Sequence, residues 1–172
     1  MREIIVLSIV QGICEWFPIS SSGHLFIFHK ILGTKPDITL DIFLHFSSLL
    51  TIFIFLRKEI FKIIKVFFKF DTKDENFKIF LYIFSASIVT GIIGFLIKDK
   101  KFLENKNVVS FGFLVTTILL FLSDREGEKI IDFKTALIIG FSQGIALLPG
   151  ISRSGATIAT AKILGINNET AF

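Results

Sequence analysis

The stretch Gln11-Gly-Ile-Cys-Glu-Trp-Phe-Pro-Ile-Ser-Ser-Ser-Gly-His24 decides how this chain folds. It breaks an apolar run that begins at Ile4, because Pro18 and a Ser-Ser-Ser-Gly cluster both interrupt a helix. About a dozen helical residues before such a break reach only about 18 Å, which is near the middle of a bilayer. Irregular backbone is tolerated at that depth only inside protein or beside a wet cavity. The stretch therefore predicts a re-entrant hairpin.

A second copy of this pattern lies near the end of the sequence. Gln143–Gly155 aligns with Gln11–Gly23 without gaps, and seven of the thirteen positions are identical. The second copy also breaks an apolar run, Thr135–Leu164. Similar helix breakers would explain the shared glycines, but not the matching Gln and Ser residues. We therefore predict an internal repeat within a single membrane domain, with a first repeat over about 1–97 and an incomplete second over about 108–172.

The composition excludes a soluble domain. Of the 172 residues, 52% are hydrophobic, 22 are Phe and only 20% are charged, and the mean hydropathy is +0.71. Such a chain has too little polar surface for a water-facing shell, so the class is an all-α polytopic membrane protein. The net charge of +4 indicates how the chain is oriented in the membrane, and not that it binds nucleic acid. The single cysteine, Cys14, excludes an internal disulfide.

Between the two hairpins, we predict about three full transmembrane helices. The stretches that come near the required length of about 20 residues are Leu40–Leu56, Ile79–Ile97 and Val108–Leu122. Because an odd number of crossings separates the hairpins, they enter from opposite faces of the membrane. The prediction is thus an inverted-topology repeat, which places a site near the midplane where the two halves meet.

Basic residues predict the orientation. Arg57–Lys78 is the densest basic stretch and belongs in the cytoplasm by the positive-inside rule. Apolar residues recur between its lysines at helical spacing, so we expect an amphipathic helix on the inner surface. The first hairpin then enters from the outer face. The loop Lys98–Asn107 would lie outside although it carries four lysines.

The side chains at the two breaks suit a phosphate ester or anhydride. Glu15 shares a helix face with Gln11, and a carboxylate within a membrane needs a partner, a metal or a proton. Arg153 is a planar, permanently charged group that binds phosphate. Helix N-termini and hydroxyls can hold phosphate oxygens, although capping is the commoner role of such serines. The expected phosphate-binding residues are Ser20, Ser22, Gly23, Ser152, Ser154 and Gly155.

The expected catalytic residues are Glu15, Ser21, His24 and Arg153. Glu15 alone would repel a phosphate, and a divalent cation, Mg²⁺ or Ca²⁺, held by Glu15 and Gln11 would remove that conflict. The residues leave Ser21, His24 and a water molecule open as the nucleophile. Asp41 and His45 also share a helix face, and we favour an interfacial acid and a packed histidine over a role supporting the site.

The two motifs resemble a known family. Gln11–Leu25 resembles the first signature of the undecaprenyl-diphosphate phosphatases, also called bacitracin-resistance proteins, and Pro149–Thr157 resembles their second. The resemblance implies a multi-pass enzyme of the bacterial cytoplasmic (inner) membrane that removes one phosphate from undecaprenyl diphosphate. That reaction recycles the lipid carrier of cell-wall synthesis and confers bacitracin resistance. It also implies an active site open to the outer face, a divalent-metal requirement and an inverted-repeat fold. Gln11 lies where the family has Glu or Gln. By motif, the family's functional positions are Glu15, Ser21, His24 and Arg153.

Family members have further membrane helices after the second signature, so the resemblance also implies an N-terminal fragment or truncated form. Two alternatives remain. The first is a polyprenyl-phosphate flippase or transporter, because inverted repeats with broken helices are typical of transporters. The second is an inactive fragment of the phosphatase. The expected partners are undecaprenyl diphosphate and the bilayer, and a homo-oligomer is compatible with the sequence.

Overall fold

A computed structural model describes residues 2–35, 37–69, 72, 74–97 and 105–172. This part of the chain is helical, with one isolated bridge between Lys129 and Ile166, and the predicted all-α class is confirmed. The helices are α1 Arg2–Trp16, α2 Ser21–Ile31, α3 Ile38–Phe55, α4 Arg57–Lys69, α5 Glu75–Leu96, α6 Lys106–Leu122, α7 Phe133–Ile145, α8 Arg153–Ile163 and α9 Asn168–Ala171.

Short polar side chains begin most of these helices. Asp37, Asp74 and Asp132 each accept hydrogen bonds from backbone N–H groups in the first turn of α3, α5 and α7. Asn105 caps α6 in the same way. These caps satisfy N–H groups that have no partner inside a helix. The apolar runs therefore start at defined residues.

The described residues contain one helix that is long and apolar enough to cross a membrane alone, α5. Helices α3 and α4 meet the same criterion only together, and they are bent by 78° at Leu56. Helix α6 is apolar but shorter. The three segments predicted to cross are helical, as α3, α5 and α6, and their number of crossings stays a prediction. Of the predicted loop Lys98–Asn107, residues 98–104 lie outside the described part of the chain.

Small residues allow α5 and α7 to pack closely. A Cβ added at Gly140 would lie 2.6 Å from the backbone of Ala86, and one at Gly144 would lie 2.5 Å from the side chain of Ile93. Thr90 of α5 donates a hydrogen bond to the carbonyl of Gly140 at 2.9 Å. Close backbone approach and hydroxyl hydrogen bonds are how helices associate inside membranes, where no hydrophobic effect drives them together.

The two broken segments form helix pairs whose turns meet. Helix α1 packs on α2, and α7 packs on α8. A Cβ added at Gly23 would lie 3.1 Å from the Cα of Gly150, and one at Gly155 would lie 3.1 Å from the carbonyl oxygen of Pro18. In the sequence alignment Gly23 corresponds to Gly155, and Pro18 to Gly150. Each glycine therefore contacts the turn of the opposite copy, in two equivalent contacts.

Candidate active site

The two serine-rich turns line one cavity of about 320 Å³, here called the serine cavity. It lies where the turn between α1 and α2 faces the turn between α7 and α8. The polar side chains on its wall are those of Glu15, Ser20, Ser21, Ser22, His45, Ser152, Arg153 and Ser154. The structure thus brings together most of the residues predicted from the two motifs.

Glu15 is held from both repeats. Its Oε2 accepts hydrogen bonds from Ser21 Oγ at 2.6 Å and from Gln11 Nε2 at 3.1 Å. Its Oε1 lies 3.7 Å from Nη2 of Arg153, which reaches it from α8. The Glu15 side chain is 21% exposed and that of Arg153 is 51% exposed, so the guanidinium also faces open space. The acid of one repeat therefore has a charge partner in the other.

The helices α2 and α8 begin in equivalent ways. Ser20 Oγ accepts from the N–H of Gly23 at 3.3 Å, and Ser152 Oγ accepts from the N–H of Gly155 at 3.0 Å. The capping role expected of such serines is therefore present. The other N–H groups in the first turn of each helix have no partner inside the helix, and they lie at the positive end of its dipole. Two such ends on one cavity form a suitable environment for an anion.

Ser20 differs from its counterpart in backbone conformation. Its φ is +69°, whereas that of Ser152 is −76°. A left-handed conformation is costly for a residue with a Cβ and persists only where the surroundings hold it. The Ser20 carbonyl accepts from His24 Nδ1 at 2.8 Å. This contact helps to hold the turn that presents Ser21 to Glu15.

Gln11 is buried beside Glu15 and has one unused acceptor. Its Nε2 donates to Glu15 and lies 3.3 Å from Ser48 Oγ. Its Oε1 is buried and has no hydrogen-bond partner among the described residues, which is uncommon in folded proteins. An amide oxygen beside a carboxylate is the donor type that Mg²⁺ and Ca²⁺ prefer. No cluster of three or more His, Cys, Asp or Glu side chains with metal-ligand geometry occurs among the described residues, so a cation here would take its remaining ligands from substrate or water.

A second and larger cavity continues from the serine cavity along α3. Its volume is about 810 Å³, and we call it the long cavity. Glu15, Asp41, His45, Gln143 and Arg153 supply its charged and most polar groups. One face of α3 supplies its apolar wall, through Ile42, Phe46, Leu49 and Ile52. A polar end joined to an apolar groove suits an amphiphile with an anionic head.

The structure places His24 apart from this site. Its ring packs edge-on against Phe113, with the ring centroids 5.2 Å apart. It lines a different cavity of about 390 Å³ together with Pro18, Thr116 and Leu120. The histidine that faces Glu15 and Arg153 is instead His45 of α3. The sequence favours a packed histidine at this position. Its one sign of a role there is its place four residues after Asp41 inside an apolar segment.

Helix α6 holds the turn between α7 and α8 through hydrogen bonds. Thr116 Oγ1 donates to the carbonyl of Gly150 at 3.1 Å and accepts from the N–H of Ser152 at 3.0 Å. Gly112, one turn earlier, lets the helix approach this turn, because a Cβ there would lie 2.4 Å from the Pro149 carbonyl oxygen. The position of Arg153 at the start of α8 thus depends on α6. The sequence pattern gave no sign of the role of Thr116.

Comparison with known proteins agrees with the resemblance of the motifs. Residues 4–172 match the family described as bacitracin resistance protein BacA. Similar proteins include the undecaprenyl-diphosphatases of Thermosipho melanesiensis, 41% identical over 98% of this chain and 69% of that protein, and of Borrelia recurrentis, 40% identical over 96% and 66%. That of Methanococcus vannielii is 38% identical over 98% and 70%. The chain spans about two thirds of the length of these relatives. The chain is a member of the bacitracin resistance protein BacA family.

Proposed function

We propose that this chain provides the site that hydrolyses undecaprenyl diphosphate to undecaprenyl phosphate and inorganic phosphate. This reaction would recycle the lipid carrier of the bacterial cell wall and confer bacitracin resistance. The relatives named undecaprenyl-diphosphatase support the substrate. The observation that carries the proposal is the 3.7 Å approach of Arg153 to Glu15 across the serine cavity.

The form of the two cavities supports a lipid diphosphate as the substrate. The serine cavity offers hydroxyls, two helix N-termini and a guanidinium to the diphosphate. The long cavity offers the apolar wall of α3 to the prenyl chain. A flippase would also need a binding site of this kind, but it would not need a hydroxyl directed at a carboxylate. The contact between Ser21 and Glu15 therefore favours hydrolysis.

We propose Ser21 as the nucleophile. Its Oγ donates to Glu15 at 2.6 Å, so Glu15 can accept the hydroxyl proton as Oγ attacks the terminal phosphorus. The bond from phosphorus to the bridging oxygen breaks, and undecaprenyl phosphate leaves with the electron pair. Water then hydrolyses the phosphoserine and releases phosphate. Arg153 and the helix N-termini would stabilise the charge that develops on the phosphoryl oxygens.

A divalent cation, Mg²⁺ or Ca²⁺, fits the donors at Gln11 and Glu15. The buried, unpartnered Oε1 of Gln11 supports this assignment. When bound, such a cation would neutralise phosphate charge that Glu15 would otherwise repel. Gln11 also orients Glu15 through its Nε2 hydrogen bond.

We further propose that α1–α2 and α7–α8 are re-entrant hairpins that enter from opposite faces of the bacterial inner membrane. Helix α1 has 15 residues and α7 has 13, so they reach about 20 Å, less than the hydrocarbon thickness of about 30 Å. With the basic α4 in the cytoplasm, α1 and α2 open to the outer face, where the substrate headgroup would enter.

The experiment is phosphate release from undecaprenyl diphosphate by the purified chain in detergent. Glu15→Gln and Arg153→Ala should each lower kcat by at least about a hundredfold, since each removes a charged partner of the reacting groups. Ser21→Ala should do the same, and a phosphorylated serine should be trapped in the unmodified chain after rapid quenching. If the unmodified chain released no phosphate in the presence of Mg²⁺ or Ca²⁺, the proposal would be rejected.

A further inference from the structure

The serine cavity and the long cavity share part of their walls. The side chains that line both are those of Glu15, His45, Ile52, Arg153 and Ser154. Two of these are the charged pair of the site and one is a hydroxyl of the second turn. His45 therefore lies at the junction between the polar and the apolar parts of the site, where a lipid headgroup would join its chain.

The side chains at this junction carry little net positive charge for a diphosphate. Of the described side chains lining the two cavities, Arg153 and His45 are those that can carry positive charge, and Glu15 and Asp41 are the carboxylates. Arg153 already lies beside Glu15 at 3.7 Å, so much of its charge is balanced. A diphosphate carries more than one negative charge, and a second cationic donor would stabilise it.

The imidazole of His45 is oriented by its own helix. Its Nδ1 lies 2.9 Å from the backbone carbonyl oxygen of Asp41. A carbonyl oxygen only accepts hydrogen bonds, so Nδ1 carries the hydrogen. No hydrogen bond to Nε2 of His45 occurs in the described part of the chain. This nitrogen is therefore available to a ligand in the cavities.

We propose that His45 is a further substrate-contacting residue, whose Nε2–H, in the imidazolium form, donates a hydrogen bond to a phosphate oxygen of the lipid diphosphate. This inference rests on the proposed function, because it concerns the same site. The groups that face His45 are Glu15 from α1, Arg153 from α8 and Asp41 from its own helix. Asp41 is in turn 3.4 Å from Nε2 of the buried His29, which limits how far that carboxylate can move.

Two substitutions with opposite expected results test the contact. In His45→Gln the side-chain amide lies near the former Nε2 and can still donate to phosphate. In His45→Asn the amide lies near the former Nδ1 and cannot reach it. We expect His45→Asn to weaken binding about ten- to a hundredfold, the range for a lost hydrogen bond to a charged group. His45→Gln should stay within about threefold of the unmodified chain.

The probe is a radiolabelled prenyl methylenediphosphonate, in which carbon replaces the bridging oxygen so that it binds without being hydrolysed. Its equilibrium dissociation constant is measured beside KM and kcat for phosphate release. Ser47→Ala is the matched control, because Ser47 lies exposed on the same helix and, among the described residues, its hydroxyl bonds only to the carbonyl of Phe43. Its dissociation constant and KM should match those of the unmodified chain.

Each outcome decides the inference. The proposed contact is overturned if His45→Asn binds the probe as tightly as Ser47→Ala does. It is also overturned if His45→Gln and His45→Asn lower the affinity equally, or if the unmodified chain does not bind the probe. If His45→Asn bound the probe more weakly than His45→Gln and Ser47→Ala, but no variant released phosphate, the contact would be supported and the proposed hydrolysis rejected. Phosphate release with a KM unaffected by His45→Asn would reject the contact and leave the hydrolysis standing.

Discussion

At the scale of the residue, Glu15 contacts more of the polar side chains of the site than any other described residue. It lies in the last turn of α1, it accepts from Ser21 and Gln11, and it faces Arg153 from the other repeat. Removal of either member of this partly exposed pair leaves the other without its charge partner. The residues proposed for catalysis also join the two repeats, so tests of this site need a folding control beside the activity.

Gln11 provides a prediction that separates metal binding from folding. Gln11→Glu adds a carboxylate where Oε1 now lies unpartnered, so the concentration of Mg²⁺ or Ca²⁺ for half-maximal phosphate release should fall. Gln11→Leu removes both the oxygen and the hydrogen bond to Glu15, so this concentration should rise about tenfold or more. Titration of the cation after chelation measures both effects. Equal cation dependence in the three proteins would contradict a role for Gln11 as a ligand.

At the scale of the element, small residues set the distance between α5 and α7. Gly140→Ala would place a Cβ 2.6 Å from the Ala86 backbone, and forced separation of packed helices typically costs about 1–3 kcal/mol. Gly91→Ala in α5 is the matched control, because a Cβ there meets none of the described residues within 4 Å. It should be neutral or stabilising by about 0.5–1 kcal/mol, as helix propensity predicts. Thermal unfolding in detergent should therefore shift in opposite directions for the two variants.

The cap of α7 provides a prediction about pH. Hydrogen bonds from the Thr135 side chain and backbone lower the pKa of Asp132, with a smaller contribution from Lys134. A carboxyl with a lowered pKa in the folded state stabilises the protein above its unfolded pKa, and this stabilisation is lost as the pH falls through the folded pKa. The stability difference between the native protein and Asp132→Asn should therefore be largest near neutral pH and disappear in acid.

A second variant checks the explanation of this pH effect. Asp132→Ala removes the acceptor for the N–H of Thr135 altogether, so it should remain less stable than the native protein across the same pH range. Thermal unfolding midpoints measured from neutral pH to about pH 3 would distinguish the variants. If the stability difference between the native protein and Asp132→Asn did not change with pH, the charge on Asp132 would not contribute to stability.

At the scale of the whole molecule, the proposed orientation places Lys35 outside and Lys65 inside, since α3 crosses between them. Lys35→Cys and Lys65→Cys, each combined with Cys14→Ser to remove the single native cysteine, can be labelled with a membrane-impermeant thiol reagent in intact cells. Lys35→Cys should react at once, and Lys65→Cys only after the membrane is permeabilised. Labelling of both from the same face would contradict a crossing by α3.

Much of this architecture could be predicted from residue patterns. Apolar length identified the segments that became α3, α5 and α6, and the broken motifs identified both turns, because helix length and helix breakers are local properties of the chain. The family followed from the same two motifs and is confirmed. The 78° bend at Leu56 agrees with the separation of an apolar helix from a basic amphipathic one. The sidedness of the membrane segments stays a prediction.

By itself, the sequence determined the class of protein, the repeated motifs and the pairing of an acid in one copy with an arginine in the other. Only the tertiary structure decided which histidine faces that pair, because the cavities that His24 and His45 line depend on how α2 packs against α6 and α3 against α1. It also decided that Thr116 holds the second turn and that Gln11 keeps an unpartnered oxygen. Such contacts join residues distant along the chain, and no local pattern encodes the distance between them.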